Sequence, residues 1–128
     1  TGARHPDIDG VEVVTRAALS ATPADVLAAQ GFLLLTPATL GWMSGALKHF
    51  FDTIYYPCQR ETRGRPYAAV IHGNNDTTGA VRSVEKIVTG LQWAAIAPVL
   101  EVTGTVGKDH REAAHDLGGT LAATLSAG

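Results

Sequence analysis

Cysteine is almost missing from this chain. Cys58 is the only one among 128 residues, so an internal disulfide and a cysteine-based zinc site are both excluded. A reducing, cytoplasmic setting is the expectation that follows. An excess of either charge is missing too: ten Lys and Arg stand against twelve Asp and Glu, a net charge of -2. That balance offers no basic footprint for nucleic acid. It also lacks the heavy acidity that a protein uses to dock on basic partners. Long apolar runs are absent. Stretches such as residues 32–35 fall far short of the ~18 residues that cross a bilayer, so no membrane segment is expected. The polar opening Thr1-Gly2-Ala3-Arg4-His5-Pro6-Asp7 reads as no secretion signal.

What is present suits a packed core. Hydrophobic residues make up 45% of the chain and charged residues 17%, which excludes a disordered polymer. At ~100–200 residues per domain, residues 1–128 read as a single domain. The local patterns alternate. Val11-Glu12-Val13-Val14, after the turn pair Asp9-Gly10, reads as a short strand. Thr22-Pro23-Ala24-Asp25 opens a helix, with Thr22 as its cap and an acid in the first turn; that helix runs to about Gln30 and stops at Gly31. Phe32-Leu33-Leu34-Leu35 reads as a strand buried on both faces. A loop follows, then a helix capped by Ser44, carrying Leu47, Phe50, Phe51 and Ile54 at helical spacing and stopped by Pro57. Tyr67-Ala68-Ala69-Val70-Ile71 is the next strand, and Val81, Val84, Ile87, Val88 and Leu91 mark the next helix. Residues 98–103 read as an edge strand, because Pro98 and Glu101 suit an edge. The closing helix runs from Lys108 to about Leu125 and contains Gly118-Gly119, a pair read as close packing on the sheet. Strands alternating with helices predict an α/β fold with a parallel sheet and helices on both faces.

In such sheets ligands sit beyond the carboxyl ends of the strands. Two loops fall there. One comprises Thr36, Pro37, Ala38, Thr39, Leu40, Gly41, Trp42 and Met43, and ends at Ser44. The other begins at His72, Gly73 and Asn74 and ends at Gly79. Both precede helices, whose first N–H groups are free donors. Both are poor in charge, which suits a planar, neutral ligand with several acceptors.

The segment from Leu35 to Asp52 closely resembles the flavin-ring loop and following helix of the flavodoxin-like NAD(P)H-dependent FMN reductases and quinone reductases. The family pattern T-P-x-x-x-G-x-x-S-x-x-L-K-x-x-x-D is matched at Thr36, Pro37, Gly41, Ser44, Leu47, Lys48 and Asp52. Residues 71–79 are similar to the family's third flavin loop, with Thr78-Gly79 where a Gly-Gly pair is usual. The resemblance implies a flavodoxin-like, three-layer, doubly wound parallel sheet that binds FMN without covalent attachment. It implies reduction by NAD(P)H and a small electron acceptor such as a quinone, with no side chain required as acid or base and a homo-oligomer allowed. The site residues it implies are Thr36, Pro37, Ala38, Thr39, Leu40, Gly41, Trp42, Met43, His72, Gly73, Asn74 and Gly79. In the family an additional strand, a phosphate-wrapping loop and a helix come first. On this reading roughly 30 residues, one strand–loop–helix unit, precede Thr1, and residues 1–6 are the tail of its helix. The phosphate-binding residues are then not among those named. An electron-carrying flavodoxin, and a flavin-free domain of the same fold, are the alternatives.

Several residues have plainer readings. Trp42 and Met43 also suit simple packing, Lys48 and Asp52 suit a helix surface, and His72 suits a hydrogen-bonded structural role. His5, Asp7 and Asp9 form a polar turn. His110 and His115, five apart on a helix, do not share a face, so no metal site is expected. Cys58 sits in a loop. Arg60, Arg63 and Arg65 read most simply as a solvated loop, with the 2′-phosphate of NADPH or a partner subunit as the other options. Gly41-Trp42-Met43-Ser44-Gly45 is not G-x-S-x-G, and no G-x-G-x-x-G occurs, so hydrolase and Rossmann readings fail.

Overall fold

The computed structural model describes residues 11–127. The Asp9-Gly10 turn, the cluster of His5, Asp7 and Asp9, and the helix tail assigned to residues 1–6 lie outside the described residues.

The first helix, α1 (Pro23–Ala28), starts as its sequence dictates. Thr22 and Asp25 form a reciprocal capping box: Thr22 Oγ1 accepts from the Asp25 N–H at 3.2 Å, and Asp25 Oδ2 accepts from the Thr22 N–H at 2.9 Å. That second bond, above all, holds the Asp25 carboxyl below the usual aspartate range. The helix ends two residues earlier than Gln30, where the chain turns extended at Ala29.

Strand β1 (Phe32–Thr39) is twice as long as the apolar run that announces it. Residues 36–39, read as loop, continue the strand, and a two-residue turn at Leu40 and Gly41 returns the chain as β2 (Trp42–Met43). Pro37 lies inside the strand. It is tolerated because β1 has an outer edge, where a missing N–H leaves no ladder bond unmade. Helix α2 (Gly45–Cys58) begins at Ser44, whose Oγ accepts from the Leu47 N–H at 3.1 Å. It runs through Pro57 rather than stopping before it. Proline there removes a single donor in the last turn, and the full burial of Ile54 and Cys58 holds that turn in place. Cys58 therefore ends a helix, with its thiol against the Pro23 carbonyl at 3.6 Å and its pKa raised by burial.

Strand β3 (Pro66–Gly73) is the centre of the sheet. It pairs in parallel with β1, Leu34 opposite Ala69, on one side. On the other side two short strands share its length in parallel: β4 (Ala94–Ala95) beside Pro66 and Tyr67, and β5 (Leu100–Thr103) beside Val70 to Gly73. Helices α3 (Thr78–Leu91) and α4 (Lys108–Ala127) complete the order. The expected parallel sheet is thus mixed at its β1 edge, where β2 runs antiparallel. The edge strand begins at Leu100, two residues after Pro98.

One face of the sheet carries the main core. Phe32, Leu34, Tyr67, Ala69 and Ile71 pack there with Leu47, Phe51 and Ile54 of α2 and Ala80, Val84, Val88 and Leu91 of α3. Trp93 seals its lower end, stacked on Phe32 with ring centroids 4.1 Å apart. Its Nε1–H donates to Thr62 Oγ1 at 2.9 Å, and that hydroxyl donates to the Cys58 carbonyl at 2.7 Å. The opposite face is covered by α4 over β3 and β5. That helix does not shield all of β1: Leu35, expected to be buried, is 66% exposed. Residues 11–17 hold no regular structure, so the strand read at Val11-Glu12-Val13-Val14 is not formed. A strand exists only against a neighbour, and among the described residues β1 has no strand beside its outer edge along residues 32–37.

Candidate functional site

The carboxyl ends of β1 and β3 lie side by side, with Pro37 opposite His72. Beyond β1 stands the hairpin. Leu40 and Gly41 both have positive φ, 51° and 75°, as a primed two-residue turn needs. Glycine accepts that conformation freely; leucine does not, at a cost of about 1–2 kcal/mol. The strained Leu40 is fully exposed, 100%, at the tip. Thr39 and Trp42 pair across the hairpin, and both are exposed. Ala38 and Met43 pair one step below, on the opposite face. Met43 is a core side chain, 1% exposed.

Beyond β3 the second loop is shorter than its sequence suggests. His72 and Gly73 are the last residues of β3, and Thr78 and Gly79 open α3, leaving residues 74–77 as the loop. Asn74, Asn75 and Asp76 are exposed. Asp76 Oδ1 accepts from the Thr78 N–H at 2.9 Å, which holds its carboxyl below the usual aspartate range. Thr77 is buried and donates to Glu101 Oε1 at 2.6 Å, tying the loop to β5. The His72 ring donates from Nε2 to the Gly104 carbonyl at 2.8 Å, the structural role that sequence offered as its plainer reading.

The two loops touch. A Cβ built on Gly79 would overlap the Gly41 carbonyl oxygen, so the hairpin tip rests directly on the first turn of α3. Gly73 lies close to Ala38 as well, though less tightly: a Cβ there would stand 3.2 Å from the Ala38 Cβ. Two hydroxyls fix the hairpin from below. Thr36, 5% exposed, accepts from the Ser44 N–H at 3.0 Å through Oγ1. Ser83 of α3 accepts from the Met43 N–H at 3.1 Å through Oγ. Sequence reading found Thr36 through its motif and missed Ser83, which sits in the helical pattern of α3 with no motif of its own. What remains turned outward is mostly neutral: the turn backbone at Leu40 and Gly41, the Thr39 hydroxyl, the Asn74 and Asn75 amides, and the apolar Leu40 and Trp42, with the Asp76 carboxylate, tied to the Thr78 N–H, as the charged exception.

Other candidates lie elsewhere. Lys48 pairs with Asp52 at 2.6 Å on the exposed side of α2, as helix-surface residues do. Together with Tyr55, Tyr56, Phe51 and Ile87 they line a shallow cavity of about 230 Å³. Arg65 is not a free loop cation. Its Nη1 lies 3.2, 3.0 and 2.6 Å from the Val26, Leu27 and Ala29 carbonyls, closing the carboxyl end of α1. It also immediately precedes β3, so the eight-residue strand, roughly 25 Å long, separates it from the hairpin. Its engagement with the three carbonyls gives the guanidinium a structural role and favours that role over binding a nucleotide 2′-phosphate. Arg65→Ala is therefore expected to lower stability by ~1–3 kcal/mol and to leave any preference between NADPH and NADH unchanged. Urea unfolding and paired nucleotide titrations check both halves. Among the described residues no group of His, Cys, Asp or Glu is placed to hold a metal ion, and no helix is long and apolar enough to cross a membrane.

A family model described as NADPH-dependent FMN reductase matches residues 7–109. The chain belongs to that family. As a member of the NADPH-dependent FMN reductase family it is a flavin-binding oxidoreductase with a flavodoxin-like fold. Solved structures share the fold at low sequence identity. A flavodoxin from the domain Archaea superposes with a TM-score of 0.72 at 13% identity, over 87% of this chain and 75% of its own. A WrbA-like flavodoxin from Agrobacterium tumefaciens gives 0.70 at 12%, over 81% and 70%. An NADPH-quinone reductase from P. pentosaceus gives 0.59 at 14%, over 78% and 71%. No curated protein sequence matches the chain.

Proposed function

We propose that the chain holds the flavin ring of FMN between the β1–β2 hairpin and the start of α3, and passes electrons from NAD(P)H to a small acceptor such as a quinone. The observation that carries the reading is the seating of Gly41 on Gly79, which brings both donor loops to one place in a member of an FMN reductase family. The residues present fit the group. No atom lies within 4 Å of where a Gly41 Cβ would stand, so the backbone there is open to a ligand. The N–H groups of Leu40 and Gly41 and the Asn74 amide suit the carbonyl and ring-nitrogen acceptors of a flavin. Leu40 and Trp42 offer apolar cover beside them. Thr36, Pro37, Ala38 and Gly73 shape the strand ends beneath, and Met43 and His72 act from within the fold. When bound, FMN supplies the hydride chemistry; the protein positions it and excludes water from one side. NAD(P)H gives two electrons and one proton as hydride, and a quinone takes up two electrons and two protons, the second from solvent. The quinone reductase among the structural relatives supports this class of acceptor. The modest net charge of -2 speaks against a carrier that docks through acidic surface.

Anaerobic stopped-flow mixing of FMN-loaded protein with NADPH or NADH tests the reading. Either nucleotide is expected to bleach the flavin absorbance without an added reductase, and one equivalent of quinone to restore it. Failure of both nucleotides returns the assignment to an electron carrier.

A further inference from the structure

Gly79 and Ser83 are four residues apart, so they stand on one face of α3, one turn above the other. Both meet the hairpin. Gly79 receives the Gly41 carbonyl, and Ser83 receives the Met43 N–H. Ser83 is 1% exposed, and its hydroxyl is used twice: it accepts from Met43 and donates to the Ala80 carbonyl at 2.7 Å. Met43 is the last residue of β2, which ends after two residues. Its N–H leaves the hairpin and crosses to the helix. The tip is thereby held at two points on one rigid element, and its strained Leu40 has little freedom to relax. We propose that Ser83 is a positioning residue for flavin binding: through the Met43 N–H it fixes the height and tilt of the Leu40–Gly41 turn against α3. The inference rests on the reading that this turn meets the flavin ring.

The hydroxyl contributes in a way that bulk cannot. Alanine at 83 fits the same space but leaves a buried N–H with no acceptor, and such a group seeks a new partner by moving. Met43 is anchored in the core by its side chain, so the movement falls on the exposed residues before it, Leu40, Gly41 and Trp42.

The test compares Ser83→Ala with Val88→Ala. Val88 is 2% exposed on the core side of the same helix, five residues, about 7.5 Å, further along it than Ser83. Amide hydrogen exchange on the flavin-free protein is expected to speed up about tenfold at Met43 in Ser83→Ala, with protection kept at the far end of α3. FMN titration is expected to show Kd raised about tenfold in Ser83→Ala and within about twofold of the parent in Val88→Ala, although Val88→Ala lowers the thermal midpoint at least as much. Ser83→Cys, which keeps the size and a weak acceptor, is expected to fall between. If both alanine variants lose affinity in proportion to stability, or if Ser83→Ala keeps its affinity, the positioning role is overturned while the flavin site stands. If the unsubstituted protein takes up no FMN, the site reading itself falls.

Discussion

Gly79→Ala is expected to cripple the candidate site more than any other single methyl group. The added Cβ would overlap the Gly41 carbonyl oxygen, a backbone atom that cannot swing away like a side chain. Either the hairpin lifts or the first turn of α3 unwinds. Overpacking of this kind costs ~1–3 kcal/mol, and if the loss falls on the bound state FMN affinity drops by about tenfold to a hundredfold. FMN fluorescence quenching measures the affinity and urea unfolding the stability. Gly79→Ala binding FMN as well as the parent would show that the two loops are not the ring site. Gly41 makes the instructive contrast: its Cβ would meet nothing, and the penalty there comes from φ alone.

Trp93→Ala has the largest expected effect on folding, ~3–5 kcal/mol. The indole is 6% exposed and stacks on Phe32, and its N–H satisfies the buried Thr62 hydroxyl. Removing it opens a large cavity at the base of the core and breaks the path that runs from Trp93 through Thr62 to the end of α2. A small domain holds about 5–15 kcal/mol in all, so the variant is expected to be partly unfolded near room temperature. Near-ultraviolet circular dichroism and a thermal melt read this directly. A shift of only a few degrees would show that the lower core tolerates the loss. Trp93→Phe, which keeps a ring but not the N–H, separates stacking from the hydrogen bond.

Much of this architecture was legible in the chain. The capping box at Thr22 and Asp25, the cap at Ser44 and the apolar spacing of α2 and α3 are local signals, and each appears where its residues place it. The errors come from tertiary context. Residues 36–39 look like a loop because they contain Pro37 and Thr39, yet pairing with β3 at 36–37 and with β2 at 38–39 makes them strand. Val11, Val13 and Val14 have strand propensity but no neighbour, and propensity alone forms no ladder. Leu35 looked buried because a fully apolar run does not say which helix covers it. Arg65 reads as solvated because its partners, three carbonyls at the end of α1 and its cap, lie 36 to 39 residues away in sequence. Ser83 was silent for the same reason: its partner is 40 residues distant.

The outer edge of β1 has a consequence for the behaviour of the protein in concentrated solution. Natural sheets blunt exposed edges with lysine, proline, bulges or brevity. Along residues 32–37, which have no strand beside their outer edge among the described residues, no residue is charged, Pro37 is the single interruption, and Leu35 stands exposed. Such an edge is a template for any extended segment that meets it, including the same edge of another molecule. Colloidal stability therefore depends on what covers residues 32–37, and a single lysine at Leu35 is the smallest change that would make the edge repel its own kind.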